Sequence, residues 1–444
     1  MAWLATQDVA TLAAWALTPE VLFGAIAVNL LVCAFRLYAT FDAYADGVRP
    51  PALPALPRSG WASLGVSSAL VTFAVVAALP HLVVGYYAVS AHEMLGAVFV
   101  AESARESPVS GSDHDERPGG TDQRSEPRAD EVPLEDPPTD ANPWHEAGRI
   151  TIALLGSDAG PDRDADRIDG LLVVTVNTRT GDAAVFSVDR YLADFPLPAR
   201  ISELYEEHCP SGEGWRYLNA LYRCADERVP EAFAAAYPSA EDPAAAAVAD
   251  TLSELLGIGV PHYVLVDMAG FVAVVDALGG VQLDLDEPLL VRLSPPSGDE
   301  WYTVDLPAGP QVVDGEEALA FVRVRERDGG DADRMRRQRC LANSVVRGAD
   351  VGSILRSFPA LTEAIEGHVV TSIPIEMLPD LLEVLPSVDP DRVVTVGFGP
   401  PEYRGWDHRP DVDRIQQRVR QILLDPDVAL QAGETTEIGD AVCR

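Results

Sequence analysis

Three regimes of hydrophobic patterning follow one another along the chain. Residues 20–41, "EVLFGAIAVNLLVCAFRLYATF", are apolar with interruptions at Asn29 and Arg36, and a run of that length can span a bilayer. Residues 61–100 form a second apolar stretch, longer than one span. It reads as a helix over about 62–87 that continues or restarts after Pro80. Residues 101–148 then lose almost every aliphatic side chain and are rich in Pro, Asp, Glu, Ser and Arg. Such a composition buries too little surface to fold.

Regular alternation resumes at Arg149. "RITIALLG" (149–156) predicts a buried strand, and "LLVVTVN" and "AAVFSV" follow as a hairpin across "TRTGD". A helix is predicted across "DPAAAAVADTLSELLG", stopped by Gly257. Strand "HYVLVD", helix "MAGFVAVVDAL", a turn at Gly279–Gly280 and strand "VQLDLD" come next. Asp314 is placed to cap a helix "GEEALAFVRVR", and a second long helix runs from about Asp331 to Val346. Strands mixed with helices over roughly 280 residues predict one α/β domain.

Charge fixes the expected topology. The loop between the apolar stretches carries Arg49 and Arg58, and Arg36 can snorkel towards it, so the positive-inside rule puts that loop in the cytoplasm. Everything after residue 100 then lies outside the cell. A cleaved signal peptide fits poorly, because the apolar material is too long and comes twice. The expected organisation is a multi-pass membrane anchor (1–100), a disordered acidic linker (101–148), an extracytoplasmic domain (149–425) and a C-terminal tail (426–444). Five cysteines suit an exported domain. Cys209 and Cys224, bracketing a short polar segment, are the economical pair, although spacing alone does not fix the pairing.

The formal net charge is -36 and there is no lysine. That balance argues against nucleic acid as a partner, since nucleic-acid binding needs a broad basic face. Within it, Arg323, Arg325, Arg327, Arg334, Arg336, Arg337 and Arg339 crowd one short segment. Forked, permanently charged guanidiniums are suited to phosphate. Asp331, Arg334 and Gln338 fall at i, i+3 and i+7, on one helix face, with Met335, Ala342 and Val345 free to face a core. For Arg336 and Arg339 a solvated face with intrahelical ion pairs is expected; for Arg334, spacing allows either a solvated face or a pocket. Arg323 and Arg325 end an apolar helix, where cations also suit the helix dipole.

Strand ends supply the remaining candidates. Asp158 directly follows one strand, Asp169 precedes the next, and Arg190 follows "AVFSV"; such positions commonly carry chemistry in α/β folds. Two carboxylates in oxygen-only company suit Mg²⁺. Asp162, Asp164 and Asp166 read as local turn formers. No P-loop, dinucleotide fingerprint or GxSxG elbow occurs.

Taken in order over about residues 150–345, "LLGSD", "RIDGLLVVTVN", "FSVDR", "YLNALY", "HYVLVDMAGFVAVVDALGGVQLDL" and "LPAGPQVVDGEEALAFVRVRERDGGDADRMRRQRC" resemble the LytR-CpsA-Psr family of bacterial cell-wall enzymes. The apolar spans, acidic tether and "RMRRQRC" resemble its actinobacterial members. The resemblance implies an α/β/α sandwich with a central mixed sheet and an apolar lipid pocket. It also implies a phosphotransferase that moves a glycopolymer from a polyprenyl-pyrophosphate carrier to peptidoglycan, as a phosphodiester to a muramic acid hydroxyl, releasing polyprenyl phosphate. Residue by residue, the family's Mg²⁺-associated acids match Asp158 and Asp169. Its pyrophosphate-binding arginines match Arg190, Arg323, Arg325 and Arg334, and Arg337 matches its "RQ" pair. Asp331 and Gln338 match further site groups, with catalytic roles falling to Arg190, Arg323, Arg325 and Asp331. Either Asp158 or Asp331 is available to activate the acceptor hydroxyl.

One departure qualifies the match. Where the family shows Ser-x-Pro-Arg and then Asp or Asn, this chain has "SVDRY". Asp189 next to Arg190 is expected to draw that guanidinium away from a phosphate. Three other readings therefore stand beside transfer: a non-catalytic binder of polyprenyl phosphate or wall polymer, a pyrophosphatase acting on the carrier, and a membrane-bound regulator. An acidic outside domain without a DNA-binding motif counts against the last.

Overall fold

The computed structural model describes most residues from 148 to 424, strand residues 436–438, and helical pieces within 24–38 and 78–86. Inside the main span, residues 160–166, 210–214, 294–301, 325–329 and 349–356, with scattered positions between 358 and 406, lie outside the described set. The chain begins with β1 (Arg149–Ser157), β2 (Ile168–Asn177) and β3 (Ala183–Val188). Four helices follow: α1 (Ala199–His208), α2 (Leu221–Glu227), α3 (Pro230–Ala236) and α4 (Pro243–Leu256). After β4 (His262–Val266) and α5 (Met268–Ala277) come β5 (Val281–Leu285), β6 (Leu289–Leu293), β7 (Tyr302–Leu306) and β8 (Gly309–Val313). The remainder is α6 (Gly315–Arg323), α7 (Gly330–Gly348), β9 (Val369–Thr371), β10 (Val394–Phe398), α8 (Val412–Leu424) and β11 (Thr436–Ile438).

Seven strands make one mixed sheet in the order β11-β10-β3-β2-β1-β4-β9. β1, β2 and β3 form an antiparallel meander that contains the expected β2–β3 hairpin. β4 joins β1 in parallel and β10 joins β3 in parallel. Antiparallel β9 and β11 close the two edges, so residues 436–438 of the C-terminal segment return to the sheet.

The two faces of this sheet are packed differently. On one face Ala153, Leu155, Leu171, Val173 and Phe186 are fully buried against α2, α4 and α8 in the main core. Burying each of the leucines, the valine and the phenylalanine among these stabilises the fold by about 1.5–3 kcal/mol. α4 can lie flat there because alanine dominates its sequence. Its ends are set as the sequence predicts: Asp242 accepts from the Ala245 N–H, and Gly257 closes the helix at φ 67°. On the opposite face Ile152, Leu154, Leu172, Val174, Val264 and Val266 are only half-buried. Ile152 and Val264 pack there against Ile150, Ile373 and Val384, and Leu172 and Val174 against Ala183, Val185 and Val393.

A smaller apolar core forms where β5 pairs with β8 and β6 with β7. Val281, Leu283 and Leu285 point inwards and Gln282 and Asp284 outwards, the period-2 reading of "VQLDL". α5, α6 and the Cys340–Leu341 segment of α7 complete it. α6 starts with a full capping box between Asp314 and Glu317. α5 and α6 approach so closely that a Cβ on Gly315 would lie 2.3 Å from the Val272 carbonyl oxygen. Cys209 and Cys224 form a disulfide.

No helix among the described residues is long and apolar enough to cross a membrane. Most of the two apolar stretches, and the acidic linker, lie outside those residues. In the described pieces the Asn29 amide donates to the His81 carbonyl at 2.9 Å.

Candidate functional site: a buried guanidinium–carboxylate network

Sheet direction gathers the candidate residues. β1, β3, β4 and β10 run the same way, and β2 runs against them. The C-terminal ends of β1 and β3 therefore share one edge with the start of β2, which brings Asp158, Asp169 and Arg190 to that edge. A bulge then aims one of them. Gly156 pairs with Gly170 and Ser157 with Ile168, leaving Asp169 as the extra residue, and bulges re-aim side chains in this way. A Cβ on Gly170 would sit 3.4 Å from the Gly156 Cα and 3.8 Å from the Gln338 amide nitrogen. Gln338 of α7 thus lies over the strand pair.

Asp169 meets two arginines. Its Oδ2 is in contact with Arg190 Nη1 and lies 3.4 Å from Arg334 Nη1. Its backbone carbonyl accepts from Arg334 Nη2 at 3.2 Å. Asp331 adds the second carboxylate, 3.2 Å from Arg334 Nη2 and 3.5 Å from Arg190 Nε. Both guanidiniums are 4 % exposed, while Asp169 and Asp331 are 23 % and 19 % exposed. Among the described residues, two buried cations face two carboxylates that water can still reach. An incoming anion would find guanidiniums already desolvated and would compete with these carboxylates for them.

The arginine-rich helix is more deeply buried than expected. Arg334, Arg337 and Arg339 are all buried. Arg339 was expected on a solvated face; instead its Nη1 donates to the Ser187 hydroxyl at 2.7 Å. It fits because Gly397 leaves room, since a Cβ there would sit 2.6 Å from that nitrogen. Arg336 remains half-exposed, and of the expected core residues Met335 is buried while Ala342 and Val345 are half-buried. Arg337 donates to the Val324 carbonyl at 2.9 Å and lies over the Phe321 ring. It therefore marks the junction of α6 with α7. Arg323 sits at the same junction as the last residue of α6, two residues short of the predicted helix end, because Val324 is extended at ψ 138°. Burial and the nearby Glu316 raise the Tyr302 phenol above its ordinary value, and the charge of Arg323 opposes that rise. Arg325 lies outside the described residues.

Asp189 does not draw Arg190 away. Fully buried, it accepts from the Tyr191 N–H at 2.9 Å through one oxygen and from Arg404 Nε at 2.5 Å through the other. Arg190 turns the opposite way and lies 4.3 Å over the Tyr191 ring, its Nη2 donating to the Tyr191 hydroxyl at 2.6 Å. Neither Arg404 nor Tyr191 was among the sequence candidates. The available signal was the aromatic, turn-rich "PEYRGWDHRP" (401–410) after β10.

Asp158 closes the loop that begins at β1: its Oδ1 accepts from the Arg167 N–H at 2.8 Å, and its own N–H donates to the Arg167 carbonyl at 2.9 Å. Among the described residues no three His, Cys, Asp or Glu side chains gather as a metal site. Asp158 and Asp169 nevertheless fit Mg²⁺ by donor type, because that ion takes few protein carboxylates and keeps waters and phosphate oxygens.

Comparison with known sequences settles the relationship. The LytR_cpsA_psr family model matches residues 119–400, more than half of the chain. The chain belongs to the LytR_cpsA_psr family. Among LytR_cpsA_psr relatives, it is 36% identical over 142 residues to the cell wall biosynthesis protein LcpA of Corynebacterium glutamicum, covering 31% of this chain and 25% of that protein. It is 26% identical over 233 residues to TagU of Bacillus mycoides, named as a polyisoprenyl-teichoic acid–peptidoglycan teichoic acid transferase. That match covers 52% of this chain and 63% of TagU, so each of these relatives is matched over less than two thirds of its length. Among solved structures, protein gbs0355 from Streptococcus agalactiae superposes with a TM-score of 0.48 at 20% identity, over 68% of this chain and 95% of that one.

Proposed function

We propose that this protein transfers a glycopolymer from a polyprenyl-pyrophosphate carrier to peptidoglycan. One observation carries the reading. The half-buried aliphatic row of Ile152, Leu154, Leu172 and Val174 runs along one sheet face to the Gly156–Gly170 pair, where the charged network begins. A molecule that is apolar along its length and doubly phosphorylated at one end matches both parts. The relatives' names, which include a transferase of teichoic acid to peptidoglycan, support the same reading.

In this chemistry the acceptor hydroxyl oxygen bonds to the phosphorus that bears the glycan. The pyrophosphate P–O–P bond breaks, and polyprenyl phosphate leaves with the electron pair. The hydroxyl proton passes to a carboxylate, Asp158 or Asp331. Arg190 and Arg334 hold the phosphate oxygens as charge spreads over them; transfer of this kind depends mostly on positioning and electrostatics. The family resemblance assigns further phosphate contacts to Arg323, Arg325, Arg337 and Gln338. Mg²⁺ held by Asp158 and Asp169 would supply charge neutralisation, and would engage the carboxylate that now faces both guanidiniums. The membrane anchor keeps the domain beside a carrier that cannot leave the bilayer. On the described piece of the first apolar stretch Leu30, Leu31 and Phe35 are 64 to 70 % exposed, a surface suited to lipid.

The test uses the full chain in lipid nanodiscs with Mg²⁺, peptidoglycan and a short-chain polyprenyl pyrophosphate bearing a disaccharide. Release of polyprenyl phosphate together with disaccharide joined to peptidoglycan is expected. Release with water as the only acceptor would instead identify a carrier pyrophosphatase, and binding without release a carrier-binding protein.

A further inference from the structure

The sequence "SVDRY" places an acid before Arg190 and a tyrosine after it, and the structure gives both a purpose. Tyr191 is the nearest support of Arg190: its ring lies beneath the guanidinium at 4.3 Å, and its hydroxyl accepts from Nη2 at 2.6 Å. With Nη2 committed to Tyr191 and Nη1 in contact with Asp169, the plane of the Arg190 guanidinium is fixed from two sides. Tyr191 is in turn held at its backbone and at its ring. Asp189 Oδ1 accepts from the Tyr191 N–H, and the ring packs edge-on against Tyr217 at 5.3 Å and His408 at 6.5 Å.

Arg404 links both supports. Its Nε donates to the buried Asp189 carboxylate, and its Nη1 donates to His408 Nδ1 at 2.8 Å. A single guanidinium fork thus anchors the groups on either side of Tyr191. Lysine, a point charge on a flexible stem, cannot reproduce such a two-way hold.

We propose that Tyr191 and Arg404 form a positioning relay for Arg190, in which Arg404 fixes Asp189 and His408, these fix Tyr191, and the Tyr191 hydroxyl sets the guanidinium for the phosphate. This rests on the transfer reading above. Neither residue touches the reacting atoms. The relay lets this chain hold Arg190 without the proline that stiffens the same position in sequences of the "SxPR" pattern.

A double-mutant cycle on the full chain tests the relay, using Tyr191→Phe, Arg404→Lys and the pair, with kcat and KM for polyprenyl-phosphate release and a melting temperature for each. In Tyr191→Phe the ring and the fold remain, and kcat falls roughly tenfold or more, the loss associated with one hydrogen bond to a charged group. KM changes by less than about threefold, because uniform binding is not what is lost. Arg404→Lys lowers kcat similarly, and the pair is no worse than the poorer single variant within about twofold, as residues acting through one another require. Wild-type kcat in Tyr191→Phe, or losses that multiply in the pair, overturns the relay while leaving transfer intact. Should Arg404→Lys fail to fold, Tyr191→Phe decides alone. An inactive wild-type protein removes the transfer reading and the relay with it.

Discussion

Asp169→Asn isolates the charge balance of the network. The substitution keeps the side chain's size and removes the carboxylate that faces Arg190 and, at 3.4 Å, Arg334. Deleting one partner of a buried ion pair costs about 3–5 kcal/mol. Here the lower end applies, because Asp169 is 23 % exposed and Asp331 stays 3.2 Å from Arg334 and 3.5 Å from Arg190. A loss of about 3 kcal/mol in a domain this size corresponds to roughly 6–12 °C in melting temperature. The ligand response separates an anion site from a structural ion pair. The two buried guanidiniums then lose one carboxylate partner, so inorganic pyrophosphate can supply the missing oxygens. At a hundred times its dissociation constant it would restore about 2.7 kcal/mol. In the wild-type chain the same anion must first displace Asp169, so its stabilisation is smaller. The assay is thermal unfolding of both proteins in chelator, with and without pyrophosphate. An unchanged melting temperature in the variant, or a pyrophosphate response equal to or below the wild type's, would refute the reasoning.

Two further outcomes follow from other parts of the fold. Gly315→Ala places a methyl 2.3 Å from the Val272 carbonyl, so α5 and α6 must separate; a loss of about 1–3 kcal/mol should appear as a lower urea midpoint at unchanged slope. Burial, with Asp194 adding to it, pushes the Tyr205 phenol from 10.0 up to about 12. A folded pKa above the unfolded one gives stability that is complete below the unfolded value and lost as pH rises through the folded one. The urea midpoint should therefore fall between pH 10 and about 12, and Tyr205→Phe should flatten that fall.

Local rules carried much of the fold. Asp242 and Gly257 bound α4 as their types predict, and Asp314 with Glu317 forms the capping box. The period-2 stretches of β1, β2, β3 and β5 are strands. Each of these signals is decided within a few residues of backbone, where cap geometry and side-chain direction leave few choices. The pairing of β6 with β7 and of β5 with β8 was not legible. Which strand satisfies another's backbone depends on contacts far along the chain, and alternation says only which face is buried.

Charge was harder to read for the same reason, and Asp189 shows why. Adjacent to Arg190, it was expected to pair with it. The chain turns just after β3, with the Leu192 N–H on the Asp189 carbonyl, and this turn sends the two side chains to different partners. Asp189 instead finds Arg404, 215 residues away, while Arg190 finds Asp169 across the sheet and Asp331 on α7. Arg339 follows the same logic: a charge on a helix reads as solvated until a hydroxyl on β3 and a glycine on β10 are brought beneath it. The four network residues could be nominated one at a time from their places at strand and helix ends. Their mutual compensation, two guanidiniums against two carboxylates, belongs to the bulge at Asp169 and to the seating of α7 on the sheet. On the proposed transfer reading, that compensation makes anion binding conditional, because a phosphate-bearing ligand would enter only where the carboxylates can be released.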